Sequence, residues 1–156
     1  MSKMYDVVVD RLAKLDDAGF QLEMVLVFSQ TLENLIKLYL AGQASKRRML
    51  KILGARDPYD SINLDHADDA PLGSLIGTLK KFTGKTILIE QLSRFNLNLR
   101  TEVIHHIFNG QKDIALLEKK IQNEFSDKDN VWTAVEALAE MVSKVDEEIK
   151  ELSKED

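Results

Sequence analysis

Leu22-Glu23-Met24-Val25-Leu26-Val27-Phe28-Ser29-Gln30-Thr31-Leu32-Glu33-Asn34-Leu35-Ile36-Lys37-Leu38-Tyr39 decides the fold class. Leu22, Val25, Ser29, Leu32, Ile36 and Tyr39 recur at spacings of three and four, whereas Glu23, Gln30, Glu33 and Lys37 fall off that line. A period near 3.6 residues puts the first set on one face of an α-helix and the second on its wet side; the alternation of a strand does not fit. Toward the N-terminus, Tyr5 to Asp17 reads as a short first helix that breaks at Asp16-Asp17-Ala18-Gly19. Toward the C-terminus, Gly42 is expected to bend or end the long helix. Lys46-Arg47-Arg48-Met49-Leu50-Lys51 carries helical character on to Gly54, a C-cap whose preceding cations complement the helix dipole.

The same reading extends to the rest of the chain. Residues 55–70, with Asp57-Pro58, Asn63 and Asp65-His66-Ala67-Asp68-Asp69, form a connection of turn-formers. Helix resumes at Pro71 with Asp69 as its expected cap, and Leu72, Leu75, Ile76, Leu79 and Phe82 make its apolar stripe. Thr83-Gly84 separates it from a helix over 85–108, which Asn109-Gly110 closes; a shorter helix spans 112–124. The final helix, 127–152, carries Val131, Val135, Leu138, Val142, Val145, Ile149 and Leu152 in alternating steps of four and three, a heptad seam flanked by Trp132. That seam packs either on its own bundle or against a second chain. The expected fold is all-α: an up-and-down helical bundle of about five to six helices in a single domain over 1–156.

Composition agrees. Seven Gly, two Pro and 6% aromatic residues suit long helices, and 44% hydrophobic residues over 156 positions suffice for a core. With no Cys, disulfides, thiolate metal sites and a cysteine nucleophile are excluded. The Val7-Val8-Val9 run is too short for a signal peptide, and nothing approaches the roughly 20 apolar residues of a membrane span, so the expectation is a cytoplasmic protein with no membrane partner. The net charge of −5 is uneven: residues 124–156 hold eleven acidic and four basic side chains, the remainder fifteen acidic and seventeen basic. Such a chain does not coat itself with nucleic acid, but a small cleft on its basic portion can hold a phosphate.

The chemistry concentrates in Arg100-Thr101-Glu102-Val103-Ile104-His105-His106. At about 100° per residue His106 falls within about 20° of Leu99, on the apolar stripe of Leu88, Leu92, Phe95, Leu99 and Val103, and reads as a packing histidine with a satisfied ring nitrogen. His105 shares a polar sector with Arg94, Asn98, Glu102 and Asn109 and stays accessible. Arg100 borders apolar surface and needs a partner, either in a structural ion pair or in a phosphate that its planar fork would grip.

Arg followed after a few residues by His, late in a long helix, resembles the defining motif of the HEPN superfamily of all-helical domains, and Arg100 and His105 match it with four residues between them. Leu72-Gly73-Ser74-Leu75-Ile76-Gly77-Thr78-Leu79-Lys80-Lys81-Phe82 is likewise similar to a segment that often lies one helix earlier, so the resemblance covers about residues 20–125. Many members carry Asn directly after the Arg, where this chain has Thr101, with Asn98 a turn away. The resemblance implies a metal-independent endoribonuclease without a cofactor. His105 would act as general base on a ribose 2′-hydroxyl and Arg100 would stabilise the phosphate, with His106, Thr101, Asn98 and Glu102 as supporting candidates. It also implies an RNA substrate, a toxin or antiviral-defence setting with an antitoxin or nucleotidyltransferase partner, and a composite cleft between two copies. The alternative is an inactive adaptor or antitoxin-type interaction module of the same fold. Ideal helix geometry separates Arg100 and His105 by about 140° and 7.5 Å along the axis, so one copy does not aim both at one point, whereas two copies about a two-fold axis can.

Two further clusters stand out. Lys46, Arg47, Arg48 and Lys51 form the strongest basic group, readable as a guide for an RNA backbone or as a solvated helix end. His66 among Asp65, Asp68 and Asp69 matches no standard metal-ligand spacing and reads as a solvated acidic loop. No Gly-rich phosphate loop, serine elbow or paired-carboxylate signature rises above background.

Overall fold

Helix α1 (Gln21–Ile52) runs unbroken through 32 residues in the computed structural model, which describes residues 10, 14, 19–109, 114–126 and 132–154, with only the backbone described for 107–109 and 126. Val25, Ser29, Leu32, Ile36 and Tyr39 are buried as their spacing requires, and so are Met24, Phe28, Leu35 and Leu40. The buried arc is wider than one stripe because neighbours pack on α1 from several sides. Gly42 does not end α1, which continues for ten residues beyond it. A Cβ placed there would lie 2.7 Å from Val145 Cγ1, so the glycine leaves room for that side chain of the last helix. The short helix expected over 5–17 falls almost wholly outside the described residues; Asp10 and Lys14 are helical and paired at 2.6 Å.

Gly54, expected as the C-cap, takes φ +71° one residue past the C-cap Leu53, and the carbonyls of Met49, Leu50 and Lys51 accept from the N–H groups of Leu53, Ala55 and Gly54. The connection over 53–71 is pinned from α1 by Arg47, which donates to Asp57 (2.8 Å), Tyr59 O (2.6 Å) and Ile62 O (3.0 Å). Helix α2 (Leu72–Thr83) buries the five stripe residues expected of it. Its cap is Pro71 with no side-chain bond, not Asp69: the extended proline (ψ 157°) offers its own carbonyl to Ser74 and Leu75.

The expected helix over 85–108 is one continuous rod containing an irregularity that sequence reading does not reveal. Helix α3 (Ile87–Arg94), capped by the Thr86 hydroxyl accepting from Ile89 N–H, passes into a six-residue π-helical segment (Phe95–Arg100) and then into α4 (Thr101–Asn109). Ile89 rather than Leu88 is buried, together with Leu92, Phe95, Leu99 and Val103. The Asn109-Gly110 turn and the expected starts at 112 and 127 lie outside the described residues or at their edge; α5 is described over Ile114–Ser126 and α6 over Trp132–Leu152.

The heptad seam lies within the chain. Val135, Leu138, Val142 and Val145 are buried and α6 packs along α1, so these positions are not available as a seam for a second chain; Val131 lies outside the described residues. Phe28 of α1 makes edge contacts with Phe95 of the π segment (5.2 Å), Phe125 of α5 (5.2 Å) and the half-buried Trp132 of α6 (5.7 Å). The result is an all-α bundle assembled around α1, with no strand among the described residues and no helix long and apolar enough to cross a membrane.

Candidate active site

The π segment forms because a turn closed i→i+5 accommodates one extra residue, and Thr101 anchors it. Its backbone N–H and its hydroxyl (2.7 Å) both donate to the carbonyl of Asn96. Thr101, read as a supporting residue, is therefore a backbone fastener of the turn that ends on Arg100. Such π turns interrupt α-helices frequently at functional sites.

Arg100 is half-buried and turns inward to α1, where its Nε donates to Ser29 Oγ at 2.7 Å; one terminal nitrogen donates to Asn96 Oδ1 at 3.4 Å. No carboxylate pairs with it among the described residues, so the structural ion pair read as one option is not formed there. The guanidinium is held by two neutral acceptors, which fix its direction and leave its charge uncompensated among the described residues. Asn96 in turn abuts the first turn of α2, its Nδ2 lying 3.3 Å from where a Cβ on Gly73 would sit.

His105 is exposed and His106 buried, as the helical angles require. Of the two ring nitrogens of His106, of which one is expected to be satisfied, Nδ1 is buried without a hydrogen-bond partner among the described residues. Glu102 pairs with Lys120 of α5 (2.9 Å), and the same ammonium donates to the carbonyl of the exposed Asn98 (2.8 Å). A turn earlier Arg94 pairs with Glu124 at 2.7 Å. Asn98 and Glu102 thus fasten α5 to the rod. Within one chain Arg100 points to α1, His105 faces solvent, and no contact joins them.

The basic cluster divides. Lys46 pairs with Glu148 of α6 (2.8 Å) and Arg47 is consumed by the 53–71 connection, so neither is a free phosphate guide. Arg48, which donates to Ser45 Oγ (3.0 Å), and Lys51 remain exposed. Burial alone would push the Asp57 carboxyl up, but the Tyr59 N–H, the hydrogen bond and charge of Arg47 and the nearby Lys46 outweigh it and hold Asp57 below its ordinary value. His66 sits exposed at φ +66°, and no group of three or more His, Asp or Glu able to hold a metal is found among the described residues.

Sequence reasoning missed Ser29 and Asn96. Ser29 does leave a signal, a hydroxyl on an otherwise apolar stripe, which when buried calls for a hydrogen-bond partner; Asn96 leaves none, because its position depends on the π turn. Comparisons with protein-family models, curated proteins and solved structures find nothing that matches this chain.

Proposed function

We propose that this chain is a metal-independent endoribonuclease of HEPN type whose composite site forms between two copies about a two-fold axis. The observation that carries the reading is Arg100: a half-buried guanidinium at the end of a π turn, aimed by Ser29 and Asn96 and balanced by no carboxylate among the described residues. A cation fixed in this way is suited to an anion from outside the chain. The exposed imidazole of His105, five residues on along the same rod, supplies the base.

In the proposed step His105 takes the proton of a ribose 2′-hydroxyl while the 2′-oxygen attacks the adjacent phosphorus. Arg100 donates to the non-bridging oxygens as their charge grows. The bond from phosphorus to the 5′-oxygen breaks, leaving a 2′,3′-cyclic phosphate on one fragment and a 5′-hydroxyl, once that oxygen is protonated, on the other. The setting expected of such an enzyme is toxin or antiviral-defence biology, with an antitoxin or nucleotidyltransferase as partner.

The test is cleavage of structured and unstructured RNA in excess EDTA. Wild-type protein is expected to give fragments ending in 2′,3′-cyclic phosphate, and His105→Ala to lower the rate by about 10²–10⁴-fold with unchanged helicity. Undiminished cleavage by that variant, or no cleavage by the wild type, overturns the reading.

A further inference from the structure

Where α1 ends, Arg48, Lys51 and Arg56 surround an open cleft of about 810 Å³ whose wall also includes Ser61, Asp57, Asp60 and the side of Arg47. Arg47 and Asp57 neutralise one another at 2.8 Å. Asp60, mostly exposed and 3.9 Å from Arg47, is the one other carboxylate in the lining. Arg48, Lys51 and Arg56 pair with no acid among the described residues, so four cations face two carboxylates.

The ordinary role of cations at such a place is to satisfy the helix end, and here that role is already filled. The carbonyls of Met49, Leu50 and Lys51 accept from the backbone N–H groups of Leu53, Ala55 and Gly54. None of the three side chains bonds a carbonyl of the helix end, and among the described residues their one bond is Arg48 to Ser45 Oγ. Three exposed cations therefore line one concavity together with Ser61, and none of them has a structural task among the described residues.

From this we infer that the cleft binds a compact oligophosphate group, the chemistry shared by a free nucleoside triphosphate and the 5′-triphosphate end of an RNA. The lining contains no aromatic ring on which a base can stack, so recognition falls on phosphate and not on base. The chain's net charge of −5 disfavours a long polyanion laid across the surface, whereas a short, dense anion can take the local surplus of cations that the cleft itself holds. The site stands apart from Arg100 and His105 and does not depend on the ribonuclease reading.

Calorimetric titration with inorganic tripolyphosphate tests it, with adenosine triphosphate and RNAs of one sequence bearing 5′-triphosphate or 5′-hydroxyl ends as further arms. Because all three cations are exposed, Arg48→Gln, Lys51→Gln and Arg56→Gln should fold normally. One tripolyphosphate is expected per chain, each single substitution weakening it roughly tenfold, as a lost charge-assisted bond implies. The triple variant should lose binding and His105→Ala keep it. Tighter binding of the nucleotide than of the triphosphate-ended RNA, or the reverse, supports the site and identifies its source. Binding unchanged in the triple variant, or no wild-type binding up to about 1 mM at low salt, overturns it.

Discussion

Arg100 and His106 each carry a polar group that the described surroundings leave unanswered, and they differ in what that means. Arg100 is half-buried with its charge unanswered among the described residues but its orientation fixed by Ser29, a partner 71 residues away in sequence. His106 is buried with Nδ1 unpartnered, which costs about 1–3 kcal/mol of desolvation and orients nothing. His106→Leu is accordingly expected to raise stability by about 1 kcal/mol, since an apolar group of similar volume removes that penalty. Urea denaturation reads it directly, and a loss of stability would show that the imidazole is tied down after all. Helical angles alone separated the exposed His105 from the buried His106. They did not show where the Arg100 guanidinium goes, because a long-range acceptor and a π turn have no local sequence period.

Among the elements, the helices were legible and their contacts were less so. The apolar stripe of α2 is buried throughout and those of α1 and α6 over their central positions, Val25 to Tyr39 and Val135 to Val145, yet Gly42 was expected as a bend or an end because glycine lowers helix propensity. Its place is set by Val145, a residue on another helix, and so invisible in the local pattern. Gly42→Ala gains about 1 kcal/mol of propensity but drives a Cβ to 2.7 Å from a stiff β-branched side chain, an overpacking that costs about 1–3 kcal/mol. The substitution is expected to destabilise the protein, and in a Val145→Ala background to become neutral or stabilising; a double-mutant cycle in urea reads the change of sign. The 53–71 connection invites a second measurement. With Asp57 held below its ordinary value of 3.8, the unfolded chain takes up this proton first as pH falls, so the Arg47 clamp stabilises the fold above about pH 4 and loses that contribution as pH drops through the lower folded value. Stability should therefore fall more steeply below about pH 4 in the wild type than in Asp57→Asn, and parallel curves would remove Asp57 from the acid response.

For the whole molecule, the question is whether one chain can carry the chemistry alone. Arg100 turns inward to α1 and His105 outward to solvent, so a site that needs both requires either a large rotation of the rod or a second copy. Rotation is opposed by contacts along its length: Phe95 on Phe28, Arg94 and Glu102 tied to α5, and Asn98 held through Lys120. A second copy requires no such rotation, and the heptad seam, packed against α1, is not available to it. The consequence is a complementation experiment. Arg100→Ala and His105→Ala proteins, each inactive alone, are mixed, dissociated and reassembled. If each site takes its arginine from one copy and its histidine from the other, about half the dimers are mixed, and each has one intact site, so activity should return to about a quarter of wild type. It should also fall with dilution as the dimer dissociates. If both groups serve within one chain, every site in the mixture lacks one of them and no activity returns; the geometry of the rod favours the first result.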